Sequence, residues 1–203
     1  MNNGKDKTLA HRGTATIEVK KSKFYGFAYP VTSREEIDKI LNALKSEFSD
    51  ASHVVYVFRL GIGGAQEYFT DAGEPSGTAG APIIRTLKGR SITNTLVAVV
   101  RYFGGTKLGT GGLARAYGET ARLAIENAGV MQFITMVVVI AKIPYGAVSQ
   151  WALLIDGIGG VAISQKFEKE VFVEAKIPKD EFEKVSQFVA EVTRGAKKLT
   201  IIS

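Results

Sequence analysis

Two kinds of hydrophobic pattern follow one another along the first seventy residues. Four short stretches either alternate apolar and polar side chains or run continuously apolar, which predicts strands paired as two antiparallel hairpins. A longer stretch between the hairpins places apolar side chains every three or four positions, which predicts an amphipathic helix capped by Thr32 or Ser33. The predicted elements are strands at 14–19 and 24–31, a helix ending near residue 48, and strands at 53–60 and 66–70.

The middle of the chain carries the strongest strand signal. Residues 96–100 are continuously apolar and rich in β-branched side chains, which predicts a strand buried on both faces of a sheet. A helix is predicted on either side of this strand, one within residues 77–87 and the other from about Leu113 to Ala128. The rest of the chain is expected to be arranged around this strand and its two helices.

A glycine segment, residues 104–112, separates the central strand from the second helix. Glycine tolerates a positive φ and the close approach of a ligand, and the start of a helix presents free N–H groups that suit an anion. The segment is therefore predicted to bind an anion with help from Arg101 and Lys107; the alternative is a tight strand-to-helix connection packed on the sheet. Its glycines are Gly104, Gly105, Gly109, Gly111 and Gly112.

A second turn-rich loop, residues 76–80, also precedes a predicted helix. Its candidate anion contacts are Ser76, Gly77 and Thr78. Because each loop follows a predicted strand, both are expected at one edge of the same sheet. Two helix starts that converge on one anionic group would form a more specific site than either start alone.

Several ionisable residues near these loops have two interpretations each. His53 precedes an apolar strand, where it serves as a base or anion contact, or is simply hydrogen-bonded at the strand end. Asp71 and Glu74 are a possible carboxylate pair, although the turn formers around them favour a role in shaping the loop. Arg101 contacts the anion or pairs with one of these two acids. Arg115 lies one helical turn from the glycine segment, close enough to contact the same anion.

The last seventy residues predict a strand, helix, strand, strand, helix, strand order, which is the ferredoxin-like order. The change in pattern near residue 130 predicts two domains, 1–130 and 131–203. We therefore expect an α+β protein. The predicted elements are strand 133–143, helix 145–156, strands 161–167 and 171–177, a helix opened by Pro178 and closed by Gly195, and strand 199–202.

Charge is concentrated in the first domain. Residues 1–130 hold 17 basic and 12 acidic side chains, whereas residues 131–203 hold 9 and 8, within a net charge of +6 over 203 residues. A polyanion is a reasonable partner for the basic region, although Arg122 is also placed to form an ion-pair ladder with Glu119 and Glu126. The absence of cysteine excludes disulfides and thiolate metal sites. No signal-peptide core or apolar run of ~20 residues is present, so a cytoplasmic protein without membrane contact is expected.

Motif tests exclude the familiar cofactor and hydrolase signatures. Gly109, Gly111 and Ala114 satisfy a loose dinucleotide-binding pattern, but the following predicted strand carries no acidic residue to hold a ribose. No phosphate-binding P-loop surrounds Lys107, and no nucleophile-elbow sequence occurs. Two histidines in the whole chain do not make a histidine-rich zinc site. We therefore expect no cofactor, no metal and no recognised catalytic residues.

Two long segments carry a family resemblance. DAGEPSGTAGAP, followed by LVAVVRYFGGTKLGTGGLARAYG, resembles the signature of the Impact family. The resemblance implies an N-terminal domain similar to domain 2 of ribosomal protein S5 and a C-terminal domain similar to domain V of elongation factor G. It also implies a link to translation, because eukaryotic members regulate translation through a protein partner and nucleic-acid or ribosome association is inferred for bacterial members. The chain departs from the usual DDGEPSGTAGKP at Ala72 and Ala81, which leaves the glycine segment intact.

Together these patterns predict a translation-associated regulatory protein that binds RNA, the ribosome or a translation factor through the basic glycine-segment surface. One alternative is a small-ligand binder or enzyme in which His53, Ser76, Thr78 and Lys107 surround a phosphate. A second alternative is a pure protein-interaction module. The expected nucleic-acid or anion contacts are Arg101, Lys107 and Arg115, the five glycines of the glycine segment, Ser76, Gly77, Thr78 and His53.

Overall fold

The computed structural model describes residues 6–202, which fold as a mixture of helices and strands. They form two compact units, the first ending at Phe133 and the second beginning at Ile134. The opening five residues, part of the stretch that lacks a signal-peptide core, lie outside the described range. No helix within residues 6–202 combines the length and hydropathy needed to cross a membrane.

The first unit contains a five-stranded antiparallel sheet and three helices. The strand order is β2-β3-β6-β4-β5, and β1 pairs separately with β7. The predicted cap of the first helix is confirmed, since the Ser33 hydroxyl accepts a hydrogen bond from the Glu36 N–H. The elements are β1 (Lys7–Leu9), β2 (Gly13–Val19), β3 (Ser22–Pro30), α1 (Arg34–Glu47), β4 (His53–Leu60), β5 (Gln66–Phe69), α2 (Gly80–Gly89), β6 (Thr95–Tyr102), α3 (Gly109–Ala128) and β7 (Val130–Gln132).

Strand β6 lies at the centre of this sheet, as its continuous apolar run predicts. Val97 and Val99 point to the face covered by α2 and α3, whereas Ala98 and Val100 point to the face covered by α1. All four side chains are fully buried, and both faces of β6 therefore contribute to a hydrophobic core. The end of this well-packed strand delivers Arg101 and the glycine segment to one edge of the sheet.

Helix α3 begins earlier than its apolar pattern predicts. It starts at Gly109 and not near Leu113, so three glycines of the glycine segment lie within its first turn. Glycine disfavours helix by up to ~1 kcal/mol per residue, and the sequence pattern therefore places the start too late. Burial of Leu113 and Tyr117 against the sheet holds the first turn in place.

The second unit is a four-stranded antiparallel sheet with two helices. Its strand order is β11-β8-β10-β9, and its elements follow the order β-α-β-β-α-β. Trp151 and Ile155 of the first helix and Val185 and Val189 of the second are buried on the sheet. The predicted strand 133–143 starts later, at Met136, because Phe133 belongs to the first unit, where its N–H donates to the Asp6 carbonyl. The elements are β8 (Met136–Ile143), α4 (Val148–Gly157), β9 (Val161–Phe167), β10 (Val171–Pro178), α5 (Phe182–Val192) and β11 (Thr200–Ile201).

Candidate functional site

The loop between β5 and α2 is folded around the carboxylate of Asp71. Its Oδ2 accepts a hydrogen bond from the Gly77 N–H at 2.7 Å. Its Oδ1 accepts from the N–H groups of Ala79 and Gly80 at 3.0 and 2.9 Å. Burial raises the pKa of this carboxyl, but the three backbone donors together outweigh burial and hold the pKa below its usual value. Asp71 is therefore an ionised cap for the start of α2.

This cap changes the role expected for residues 76–80. The N–H groups that were expected to receive an external anion already bind Asp71. The Thr78 N–H and hydroxyl both donate to the Pro75 carbonyl, at 3.1 and 2.6 Å. Because an internal carboxylate fills the position, we assign Gly77 and Thr78 to the structure of the loop, and Ser76 stays a predicted anion contact.

The Asp71 cap predicts a pH-dependent stability difference. Asp71→Ala removes the charge and both acceptor oxygens, and should lower the free energy of unfolding by about 0.5–2 kcal/mol at pH 7. Since the folded pKa of Asp71 is lowered, its contribution is complete above the unfolded pKa and is lost as pH falls through the folded pKa. Urea unfolding of both proteins between pH 7 and pH 3 should show the difference shrinking below about pH 4. A difference that is constant with pH would contradict the assignment.

Below this loop lies a buried polar network centred on Glu74. The Glu74 side chain is 3% exposed. Its Oε1 accepts hydrogen bonds from Arg101 Nη1 at 2.6 Å and from the Tyr117 hydroxyl at 2.7 Å. Burial and the hydrogen bond to Glu74 raise the pKa of the Tyr117 phenol, so Tyr117 remains a neutral donor. The network joins the loop to β6 and to α3.

Arg101 is an internal support and not a free cation. Its guanidinium is buried, pairs with Glu74, and lies 3.4 Å from the Ser22 hydroxyl through Nη2. Ser22 Oγ also accepts a hydrogen bond from the Gly104 N–H at 3.1 Å. The structure thus favours the interpretation in which Arg101 pairs with an acid of the loop. We correct its assignment from anion contact to support of the glycine segment.

His53 also has an internal role. Its Nδ1 lies 2.9 Å from the Ala72 carbonyl, so this nitrogen carries the proton and donates. Its Nε2 lies 3.8 Å from Glu74 Oε1. These contacts connect the start of β4 to the Asp71 loop. They favour the alternative in which His53 is simply hydrogen-bonded at the end of a strand. His53 is therefore assigned to the support of the loop and not to the anion site.

Gly104 brings the glycine segment against the turn between β2 and β3. A Cβ at Gly104 would overlap the backbone of Lys21 and Ser22, so only glycine permits this approach. Lys20 and Lys21, with φ of +46° and +66°, form that two-residue turn. Such turns favour Asn-Gly, because lysine is strained at positive φ. No spacing pattern in the sequence predicts this contact, since more than eighty residues separate Lys20 from Gly104 in the chain.

The first turn of α3 is open to an anion. Gly109 has φ of +71°, the preceding residue makes no side-chain cap, and no acidic residue lies in the first turn. Free N–H groups at such a helix start attract negative charge. Arg115 Nη1 lies 3.8 Å from the position of a Cβ at Gly111, so the guanidinium extends along this turn. The glycine segment and Arg115 therefore present positive potential to the solvent.

Four exposed cations surround the glycine segment: Lys20, Lys21, Lys107 and Arg115, which we call the basic surface. None of them forms a salt bridge with another described residue. Arg122, farther along α3, is instead bonded to Glu119 and Glu126 at 2.6–2.8 Å, as the ion-pair ladder predicts. The positive charge of the basic surface is therefore available to an external anion, whereas the charge of Arg122 is neutralised by Glu119 and Glu126.

A cavity of about 330 Å³ lies between β2 and the first turns of α3. Its lining combines apolar side chains with two members of the basic surface. Within residues 6–202, no cluster of histidine and carboxylate side chains is arranged to hold a metal ion. The residues that line the cavity are Ile17, Val19, Lys20, Leu108, Gly112, Arg115, Ala116 and Glu119.

Known proteins match the chain over most of its length. Relatives include IMPACT family member YvyE of Bacillus subtilis, 30% identical over 93% of this chain and 87% of YvyE. IMPACT family member YigZ of Escherichia coli is 28% identical over 93% of this chain and 94% of YigZ. A crystal structure described as a hypothetical protein shares 27% identity and 97% of both chains, with a TM-score of 0.66. The structure of the two-domain translational regulator Yih1 shares 30% identity over 64% of this chain and 48% of Yih1, with a TM-score of 0.37.

The family assignment rests on the same region as the site. The model of the Impact N-terminal domain matches residues 20–125, which include the Asp71 loop, the buried network and the whole glycine segment. The resemblance carried by the two signature segments is therefore confirmed. The chain belongs to the Impact family.

Proposed function

We propose that this protein is a translation-associated regulatory protein that binds RNA through the basic surface. The observation that carries the proposal is the juxtaposition of four exposed cations, without salt bridges among residues 6–202, with a glycine-lined helix start. Phosphate groups are recognised by lysine and arginine side chains together with backbone N–H groups, and both are present here. The link to translation rests on membership of the Impact family, and the RNA is taken to belong to the ribosome or to an associated transcript.

Strain at the hairpin turn supports this choice. Lys20 and Lys21 occupy left-handed positions that cost an ordinary side chain about 1–2 kcal/mol each. Residues that are unfavourable for their backbone conformation are often found at functional sites. Charge at the turn is the property that lysine has and Asn-Gly lacks. We infer that these lysines contact a polyanion.

The turn offers a direct test of the proposal. Lys20→Asn with Lys21→Gly should stabilise the hairpin by about 1 kcal/mol, because the new residues suit positive φ, and should weaken RNA binding at the same time. Binding of a 20-nucleotide single-stranded RNA and the free energy of unfolding are measured on the same preparations. A variant that gains stability and loses affinity supports the proposal. A variant that binds RNA as tightly as the parent overturns the role of this turn.

The cavity favours a second candidate function, the binding of a small phosphate-containing ligand. Its volume is near the lower end of the range of ligand-pocket volumes. Its lining combines apolar side chains with the cationic side chains of Lys20 and Arg115. Such a ligand would place its apolar part against Ile17 and its phosphate toward the helix start. Saturable binding of a mononucleotide that is not displaced by RNA would favour this candidate over the first.

We also propose finer assignments of fold and location. The first unit is proposed to be similar to domain 2 of ribosomal protein S5. The second unit is proposed to be ferredoxin-like, and its β-α-β-β-α-β element order and β11-β8-β10-β9 strand order support this assignment. The two units are proposed to be separate domains, with the boundary after Phe133 because β7 pairs with β1. The protein is proposed to be cytoplasmic, where the translation machinery is found.

A further inference from the structure

One exposed aromatic side chain stands beside the basic surface. Phe103 follows β6 directly, precedes Gly104, and is 49% exposed. Its backbone is fixed, because the Phe103 N–H donates to the Ser52 hydroxyl at 3.1 Å. The ring is outside the hydrophobic core, and about half of its side chain faces solvent.

The phenyl ring is held in a defined orientation. The Arg101 Cζ lies 5.5 Å from the centroid of the Phe103 ring, within the range of a cation–π contact. Arg101 is itself fixed by its 2.6 Å contact with Glu74. One side of the ring is therefore backed by an immobile guanidinium, and the exposed half of its surface is available to another planar group.

The surroundings of the ring carry positive charge. Gly104, the next residue, packs against the Lys21 backbone, which places the basic hairpin turn beside Phe103. Lys107 is four residues farther along the same exposed segment. A flat aromatic ring next to exposed lysines is the combination that proteins use for single-stranded nucleic acid, in which bases stack on the ring while phosphates contact the cations.

We propose that Phe103 is a stacking platform for an unpaired base, so that the protein binds single-stranded RNA in preference to duplex RNA. This inference rests on the proposed function and adds to it the strandedness of the partner. Bases inside a duplex are already stacked on one another and present no free face to Phe103. The basic surface alone would attract either form, since it contacts phosphates.

Three variants separate stacking from charge. Phe103→Ala should weaken binding of 12-nucleotide oligouridylate by about 5- to 150-fold, the range measured when a base-stacking aromatic is lost, with little effect on heparin binding. Phe103→Trp should retain binding, and its fluorescence should be quenched by the oligonucleotide, because Trp151, the other tryptophan, is fully buried. Phe167→Ala, at another exposed phenylalanine, is the control and should bind like the parent.

The outcomes distinguish the inference from the proposed function. If the parent binds oligouridylate and Phe103→Ala binds it within twofold of the parent, the stacking role is overturned while the RNA-binding proposal stands. Equal binding of a 12-base-pair RNA duplex and of oligouridylate by the parent would also overturn it. If the parent binds neither RNA, both proposals fail. The thermal midpoint of each variant is recorded, and an unchanged midpoint attributes the lost affinity to the ring.

Discussion

Replacing Glu74 with Ala should lower the free energy of unfolding by about 3–5 kcal/mol, because the change leaves the buried Arg101 guanidinium without its carboxylate. The same substitution removes the acceptor of the Tyr117 hydroxyl, 2.7 Å away. Both partners lie in the interior, where water does not replace the lost contacts. Chemical unfolding of the full chain measures the change.

A matched control is available in the same unit. Glu119 also pairs with an arginine, Arg122, but both side chains are roughly 40–50% exposed. Glu119→Ala should change stability by less than ~1 kcal/mol, as is usual for surface salt bridges. If Glu74→Ala and Glu119→Ala cost the same, the network around Glu74 does not support the loops in the way described above.

Replacing Lys107 and Arg115 with Glu should lower the affinity for single-stranded RNA on the order of 100-fold at ~0.1 M salt, because two attractive phosphate contacts become repulsive. Both side chains are exposed and without salt bridges among the described residues, so the thermal midpoint should stay unchanged. Arg101 is left intact, since its loss would confuse stability with binding. Fluorescence anisotropy with a labelled oligonucleotide measures the affinity.

The control for this pair changes the net charge by the same amount elsewhere. Lys179 and Lys198 are exposed residues of the second unit. Lys179→Glu with Lys198→Glu should cost far less affinity, because neither side chain belongs to the basic surface and salt screens the effect of net charge alone. Equal losses in the two double variants would indicate a response to net charge and would contradict a defined basic surface.

Local pattern was sufficient for most of the fold. The run 96–100 predicted the central strand, and alternation in 14–19 predicted β2, because side-chain burial repeats with the period of the element that carries it. The start of α3 was missed, since Gly109 and its neighbours resemble a loop by composition. Strand β1 was missed because three residues are too few to show alternation.

The candidate site was predicted less well, because its contacts join distant parts of the chain. The sequence indicated Lys107 and Arg115, which are local to the glycine segment. It did not indicate that Asp71 fills the α2 start, which depends on the path of the loop. It also did not place Lys20 and Lys21 beside Gly104, which depends on the pairing of β3 with β6. The first contact is local in the chain but depends on how the loop turns back on Asp71, and the second joins residues more than eighty positions apart.

The salt dependence of RNA binding tests the basic surface most directly. If all four of its cations contact phosphates, a plot of log K against log salt concentration for a single strand should have a slope of about −2.8, at ~0.7 per contact. Lys107→Glu with Arg115→Glu should flatten this slope to about −1.4, and the Lys179→Glu, Lys198→Glu control should keep the parent value. A slope that is the same for the parent and the Lys107→Glu, Arg115→Glu variant would contradict phosphate binding at this surface.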